Sequence, residues 1–207
     1  MTPIVEFQHV SLGFRKEPVL KDLSFLISEG GKAVLTGPSG VGKTTVIRII
    51  TGFEMPDRGN VSVFDKTLDQ NTVRGIRRKI FWLPQHFNPG NGKVRPFLDA
   101  IFSFQQNKGM KPSADRMIEV LTQLLLPDDI LDRKMEELSG GQLQRLGLGV
   151  GLMIQRPLVL LDEPTSQLDD KAKEKVAEQY AGKEDITLIS ASHDPVWINF
   201  MNRSIGL

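Results

Sequence analysis

The chain has 207 residues, about 1.4 times a typical domain, which predicts one compact domain with room for an inserted lobe. Lys and Arg number 26 against 25 Asp and Glu, a formal charge of +1 that argues against a uniformly phosphate-coating surface and direct nucleic-acid binding. No cysteine is present, which excludes disulfides, thiol nucleophiles and cysteine zinc sites, and His9, His86 and His193 are too scattered for a histidine metal cage.

The first elements read as strands at Ile4–Val10 and Leu23–Ser28, joined by a turn-rich stretch from Gly13 to Pro18. Ala33–Thr36 is a short apolar run between glycines, the form of a buried parallel strand. Lys43–Thr51 is rich in Thr, Val and Ile, so propensity alone favours a strand; the motif that precedes it argues for a helix. Strands follow at Val61–Phe64 and Ile80–Leu83, then helices at Leu98–Gln106, Ala114–Leu125 and Gln142–Gln155. Leu158–Leu161 and Thr187–Ser190 read as buried strands, with helices at Lys171–Tyr180 and Pro195–Met201. Strands alternating with helices predict a mainly parallel α/β core, into which residues from about 86 to 138 are inserted as a helical lobe. No run approaches the ~18 apolar residues of a membrane span. The first residues show no basic segment leading into an apolar one, so a cytoplasmic chain is expected.

Three segments carry chemistry. Gly37-Pro38-Ser39-Gly40-Val41-Gly42-Lys43-Thr44 matches G-x-x-x-x-G-K-[ST] directly after a strand, a loop whose backbone amides and following helix N-terminus face phosphates. Lys43 reaches the β- and γ-phosphates and the Thr44 hydroxyl is offered to Mg²⁺, with Thr45 next along the same turn. Leu158-Val159-Leu160-Leu161 then delivers Asp162 and Glu163 to the carboxyl edge of the sheet, Asp162 to hold Mg²⁺ and Glu163 to polarise an attacking water. Ser139-Gly140-Gly141-Gln142 opens a helix as a second anion-binding N-terminus.

Together these segments, continued by Leu143-Gln144-Arg145, resemble the ATP-binding cassette (ABC) ATPases over essentially the whole chain. The resemblance implies a P-loop NTPase core at 1–85 and 139–207 with a mainly parallel central sheet, an N-terminal antiparallel β subdomain and the helical subdomain. It implies that Gln85 is the glutamine that contacts Mg²⁺ and couples to the helical lobe, and that His193 touches the γ-phosphate. Ser166-Gln167-Leu168-Asp169 resembles the loop that crosses between subunits, and Phe14 falls where an aromatic ring stacks on adenine. Two copies, or this chain and a related cassette, are then expected to pair head to tail, each ATP lying between the phosphate loop of one and Ser139, Gly140 and Gly141 of the other. Glu163, His193, Lys43 and Gln85 form the implied catalytic set.

For most of the family the partner is a transmembrane permease, which would hold this chain at the inner face of the membrane. Phe87, Phe97, Phe102 and Phe104 are candidates to line the docking groove, with filling the lobe's core as the alternative for Phe102 and Phe104. A soluble family member acting on nucleic acid, ribosomes or an assembly machinery is the second reading, and a P-loop kinase or GTPase the third. The chain departs from the family where Gly147, Gly149 and Gly151 interrupt a helix, for either close backbone approach or a softer helix, and where it stops after Leu207, as a minimal cassette would.

Overall fold

In the computed structural model, which describes residues 3–14 and 17–207, β1 (Pro3–Phe14) pairs antiparallel with β2 (Glu17–Ser28). β1 buries Val5 and Phe7, then Val10 and Leu12, so the inward-facing parity changes partway along. The register shifts between Phe7 and Val10, where His9 has φ 52°: a bulge inserts one residue and re-aims the strand. This bulge breaks the two-residue alternation and explains why the strands run well past the expected limits. Gly13, Phe14, Glu17 and Pro18, expected in a turn, stay in the ladder, and the Arg15-Lys16 part of that expectation lies outside the described residues. With β4 (Arg58–Val63) and β5 (Lys66–Thr67), these strands form a four-stranded antiparallel sheet in the order β2-β1-β4-β5.

The second sheet is parallel, built from β3 (Lys32–Thr36), β6 (Ile80–Leu83), β7 (Leu158–Asp162), β8 (Thr187–Ala191) and β9 (Arg203–Gly206) in the order β6-β7-β8-β3-β9. Strand β9, which the sequence pattern did not disclose, pairs with the outer side of β3. The helices are α1 (Lys43–Ile50), α2 (Val73–Arg77), α3 (Val94–Ser103), α4 (Ala114–Gln123), α5 (Gly140–Ile154), α6 (Asp170–Ala181) and α7 (Pro195–Asn199). Ala33, Leu35, Leu158, Leu160 and Ile189 face α1 and the antiparallel sheet. Val34, Val159, Leu161 and Leu188 face α5, α6 and the segment between β6 and α5. Burial on both faces is what favours unbroken Val, Leu and Ile in these strands over alternation.

Helix α1 forms despite its β-branched content because Val46, Ile47, Ile49 and Ile50 are all fully buried against the sheet, so tertiary packing overrides propensity. Between β6 and α5 lie α3, α4 and three short 3₁₀ turns, joined by an isolated bridge from Lys93 to Lys134. Their buried Leu98, Phe102, Met117 and Leu121 share a core with Leu146 and Leu148 of α5. Phe102 is therefore core; Phe87 and Phe97 are partly buried, their ring centroids 6.2 Å apart, and Phe104 is 58% exposed.

The glycines of α5 permit close approach. A Cβ on Gly151 would lie 2.5 Å from the Phe81 ring and 2.6 Å from the Tyr180 hydroxyl, which itself donates to the Leu148 carbonyl. A Cβ on Gly147 would meet Leu83 at 2.7 Å, and one on Gly149, on the opposite side of the helix, would meet Leu121 at 2.5 Å. No described helix is long and apolar enough to cross a membrane.

Candidate nucleotide site

The strand order sets the site. Because β6, β7, β8 and β3 are adjacent and parallel, the residues leaving their carboxyl ends emerge side by side. Gln85 follows β6, Asp162 and Glu163 end and follow β7, His193 follows β8, and the Gly37–Gly42 loop follows β3. They line one cleft of about 440 Å³ with Pro38, Ser39, Gly40, Lys43, Thr44 and Thr45.

Within the loop, Gly37 and Gly42 have φ 144° and 113°, a conformation that side-chain-bearing residues rarely adopt. A Cβ on Gly42 would also come within 2.9 Å of Val19 and Leu20 of β2, so the loop is seated on the antiparallel sheet. Gly42 is the N-cap of α1, whose first-turn amides are left for an anion. Lys43 is nearly buried and donates through Nζ to the Gly37 and Pro38 carbonyls at 2.8 and 3.1 Å. Val41 turns to a neighbouring groove of about 530 Å³ between Pro18–Leu20 and Leu207. Phe14 is 44% exposed at the end of β1 and is not among the described lining residues of either cavity.

The Thr44 hydroxyl donates to Asp162 Oδ2 at 2.8 Å. Burial pushes the Asp162 carboxyl above the usual carboxylate range; the Thr44 hydrogen bond and the charges of Lys43 and His86 oppose this, while Glu163 reinforces it. A hydroxyl and a carboxylate held together at a phosphate loop, with the Gln85 amide beside them, are the all-oxygen donors that suit Mg²⁺, so the residues present fit that ion.

Glu163 has φ 48°, strained for a residue with a side chain and more so before Pro164, and its N–H is tied to the Ala191 carbonyl at 2.8 Å. This conformation presents the carboxylate to the cleft, where His193 Nδ1 lies 3.1 Å from Oε1. Sequence reasoning missed the supports of His193. Asp194 caps α7 through Val196 N, accepts from Thr165 Oγ1 at 2.9 Å and pairs with Lys173 at 3.3 Å. Burial raises the Asp194 carboxyl pKa, but the hydrogen bonds from Thr165, Val196 and Lys173 outweigh it and hold the group below the usual range. An Asp immediately before Pro195 at a helix start was the available signal.

Ser139, Gly140, Gly141 and Gln142 lie outside the phosphate cleft. Ser139 Oγ accepts from Gln142 N while Gln142 Oε1 accepts from Ser139 N, a reciprocal cap that fixes the start of α5. Positions for Cβ atoms on Gly140 and Gly141 are taken up by the Gln167 side chain and carbonyl, at 2.3 and 2.7 Å. The start of α5 is thus set apart from the phosphate loop and closed by its own cap.

A parallel sheet with this loop, threonine–aspartate pair and trailing glutamate is the construction of a P-loop nucleoside-triphosphate-binding domain. The family model described as "ABC transporter" matches residues 20–166, and the chain belongs to that family. It is 34% identical over 197 residues to an Fe(3+) ions import ATP-binding protein, FbpC, of Pseudomonas fluorescens, covering 92% of this chain but 54% of that protein. It is 31% identical over 204 residues to an energy-coupling factor transporter ATP-binding protein, EcfA1, of Enterococcus faecalis, covering 94% and 72%. The chain spans little more than half the length of the first of these relatives. Among solved structures, the dimeric ATP-binding cassette MJ0796 bound to ADP and Pi superposes with a TM-score of 0.83 at 28% identity, covering 98% of this chain and 94% of that one.

Proposed function

We propose that the chain binds and hydrolyses ATP as the energy-supplying subunit of a membrane transporter, working as a head-to-tail dimer. The observation that carries this reading is the convergence of the phosphate loop, the Thr44–Asp162 pair and the Glu163–His193 pair on one cleft, with the Ser139–Gln142 cap held apart from it. Among the described residues the cap does not line the cleft of its own chain, and the cap of another copy would close the nucleotide from the far side. Similarity to ATP-binding proteins of transporters, one of them an Fe(3+) import protein, supports the transport role.

In this mechanism the amides of residues 37–45 and the Lys43 ammonium bind the phosphates, and Thr44, Asp162 and Gln85 would hold Mg²⁺. Held there, Mg²⁺ would supply charge neutralisation to the bound phosphates. Glu163 accepts the proton of the attacking water through its carboxylate, and His193, anchored by the Asp194 network, orients that carboxylate and reaches the γ-phosphate. Ser139 and the Gly140 and Gly141 amides of the second copy bind the γ-phosphate from the far side, so cleavage removes the bridge between the copies. Phe14 supplies a ring for adenine. Residues 1–85 and 139–207 act as the core and residues of about 86–138 as a lobe whose rotation, sensed at Gln85, is transmitted to the permease. The chain is held by that permease at the cytoplasmic face of the membrane.

Phosphate release tests this reading: turnover per chain is expected to rise with protein concentration as pairing proceeds, and Lys43→Ala to weaken ATP binding about tenfold or more, the loss of one charge-assisted contact. Turnover with unchanged ATP affinity in Lys43→Ala would contradict it.

A further inference from the structure

A cavity of about 550 Å³, separate from the nucleotide cleft, is lined by Arg74, Arg78, Arg156, Phe104, Gln105 and Gln106. Arg78 and Arg156 precede β6 and β7, whose far ends lead to Gln85 and Asp162. Strands of four and five residues at about 3.3 Å per residue place the two cavities roughly 15 Å apart. The phosphates of a nucleotide in the first cleft therefore do not reach these arginines.

The cavity collects positive charge without a counter-charge. No Asp or Glu is among its described lining residues, and Arg74, Arg78 and Arg156 form no ion pair among the described residues. Arg74 and Arg78 stand one helical turn apart at the end of α2, where like charges repel. Neighbouring Arg77 is by contrast spent on the Thr51 and Gly52 carbonyls and the face of Phe53. Arg156 is half-buried and held in place: its Nη2 donates to the Gln106 carbonyl and to the side chain of buried Asn107, whose amide donates to the Ile101 carbonyl. These partners are neutral, so the guanidinium is positioned without being compensated. Guanidinium groups are planar forks whose donors match phosphate oxygens, and an entering anion relieves the repulsion among them.

The rest of the lining suits a flat polar ring. Phe104 is 58% exposed, and Gln105 and Gln106 beside it are exposed with side-chain amides that both donate and accept. The volume falls in the range of small-ligand sites. We infer that this cavity is a second nucleotide site and takes a nucleoside diphosphate. The arginines hold its phosphates, Phe104 stacks on its base and the glutamine amides meet the base edge. A simple anion uses the charges and leaves Phe104 uncovered, whereas a nucleotide uses both walls. The site has no hydroxyl–carboxylate pair like Thr44–Asp162, so its ligand binds as the free anion without Mg²⁺. Arg74, Arg78 and Arg156 flank the strands of the parallel sheet, and Phe104–Gln106 belong to the segment between β6 and α5. One occupant therefore braces that segment against the sheet, and the inference stands independently of the transporter role.

Calorimetric titration of the full chain with ADP and with GDP in EDTA tests this, since withholding Mg²⁺ weakens the first cleft. Binding of at least one of them is expected to persist in EDTA and in Lys43→Ala. Arg74→Gln/Arg78→Gln is expected to weaken it about tenfold or more, and Phe104→Ala about fivefold or more. All three substitutions alter exposed side chains outside the catalytic cleft, so ATP hydrolysis with Mg²⁺ should stay within about twofold of wild type. Nucleotide binding that disappears in Lys43→Ala and is unmoved by Arg74→Gln/Arg78→Gln overturns the inference and leaves the ATPase reading intact. Inorganic pyrophosphate that binds as tightly as either nucleotide, with no response to Phe104→Ala, assigns the cavity to a simple anion and overturns the nucleotide assignment. Binding to phosphatidylglycerol vesicles that is lost in Arg74→Gln/Arg78→Gln, with neither nucleotide bound at the arginines, overturns it in favour of a lipid headgroup.

Discussion

His193 Nδ1 sits 3.0 Å from Glu163 Oε2 and 3.1 Å from Oε1, so one ring nitrogen holds both oxygens of the glutamate at the edge of the cleft. Glu163 reaches that position only through a strained backbone, and His193 is the only side chain hydrogen-bonded to its carboxylate among the described residues.

Glu163→Gln keeps the shape and removes the base. Phosphate release is expected to fall about 10²–10⁴-fold, the range for a positioned general base, while ATP affinity changes little. His193→Ala should lower the same rate with less effect on binding, since it frees the carboxylate to rotate. Quenched-flow phosphate release beside equilibrium nucleotide binding separates the two effects.

Thr44→Val removes the donor that steadies Asp162. The buried carboxyl then loses its largest stabilising partner, and its affinity for a proton rises further. Hydrolysis is expected to need more Mg²⁺ for half-maximal rate, with the larger deficit on the acid side of neutrality. A titration of Mg²⁺ at two pH values reads this out.

Asp194 gives a pH signature of the opposite sign. Its folded-state pKa is below the usual carboxylate value, so its contribution to stability is present above the unfolded value, about pH 4, and is lost as pH falls through the lowered folded value. Asp194→Ala is expected to cost about 1 kcal/mol at neutral pH as a lost helix cap and to flatten stability against pH in that acid window. Urea unfolding from pH 3 to 7 measures it.

Gly151→Ala tests the close packing of α5. Ala gains about 1 kcal/mol of helix propensity, yet its Cβ would fall 2.5 Å from the Phe81 ring and 2.6 Å from the hydroxyl of Tyr180, which is fully buried and tied to the Leu148 carbonyl. Overpacking of this kind costs about 1–3 kcal/mol, so net destabilisation is expected. Gly75→Ala, where a Cβ meets nothing within 4 Å, is the control and should be neutral or stabilising.

These predictions divide along what was legible in the sequence. The phosphate loop and Asp162–Glu163 were readable because each is a local motif, whereas Gln85 followed only from the family resemblance; the parallel strand order brings all of them to one edge. The ends of β1 and β2 were hidden by the bulge at His9, which reverses the inward parity and imitates the end of a strand. The purpose of Gly147, Gly149 and Gly151 could not be read from α5, since the atoms they admit belong to Phe81, Leu121 and Tyr180. The Thr165–Asp194–Lys173 network likewise joins residues distant in the chain, and no spacing rule anticipates such a meeting.

The proposal turns on the nucleotide being shared between two copies. Sedimentation of Glu163→Gln chain, with ATP and Mg²⁺ and then with ADP, tests it most directly. The expected result is dimer with ATP and monomer with ADP, and dimer lost when Gly140→Asp is added although ATP still binds. A chain that remains monomeric with bound ATP while the unsubstituted protein turns over at a rate per chain independent of its concentration would contradict the account.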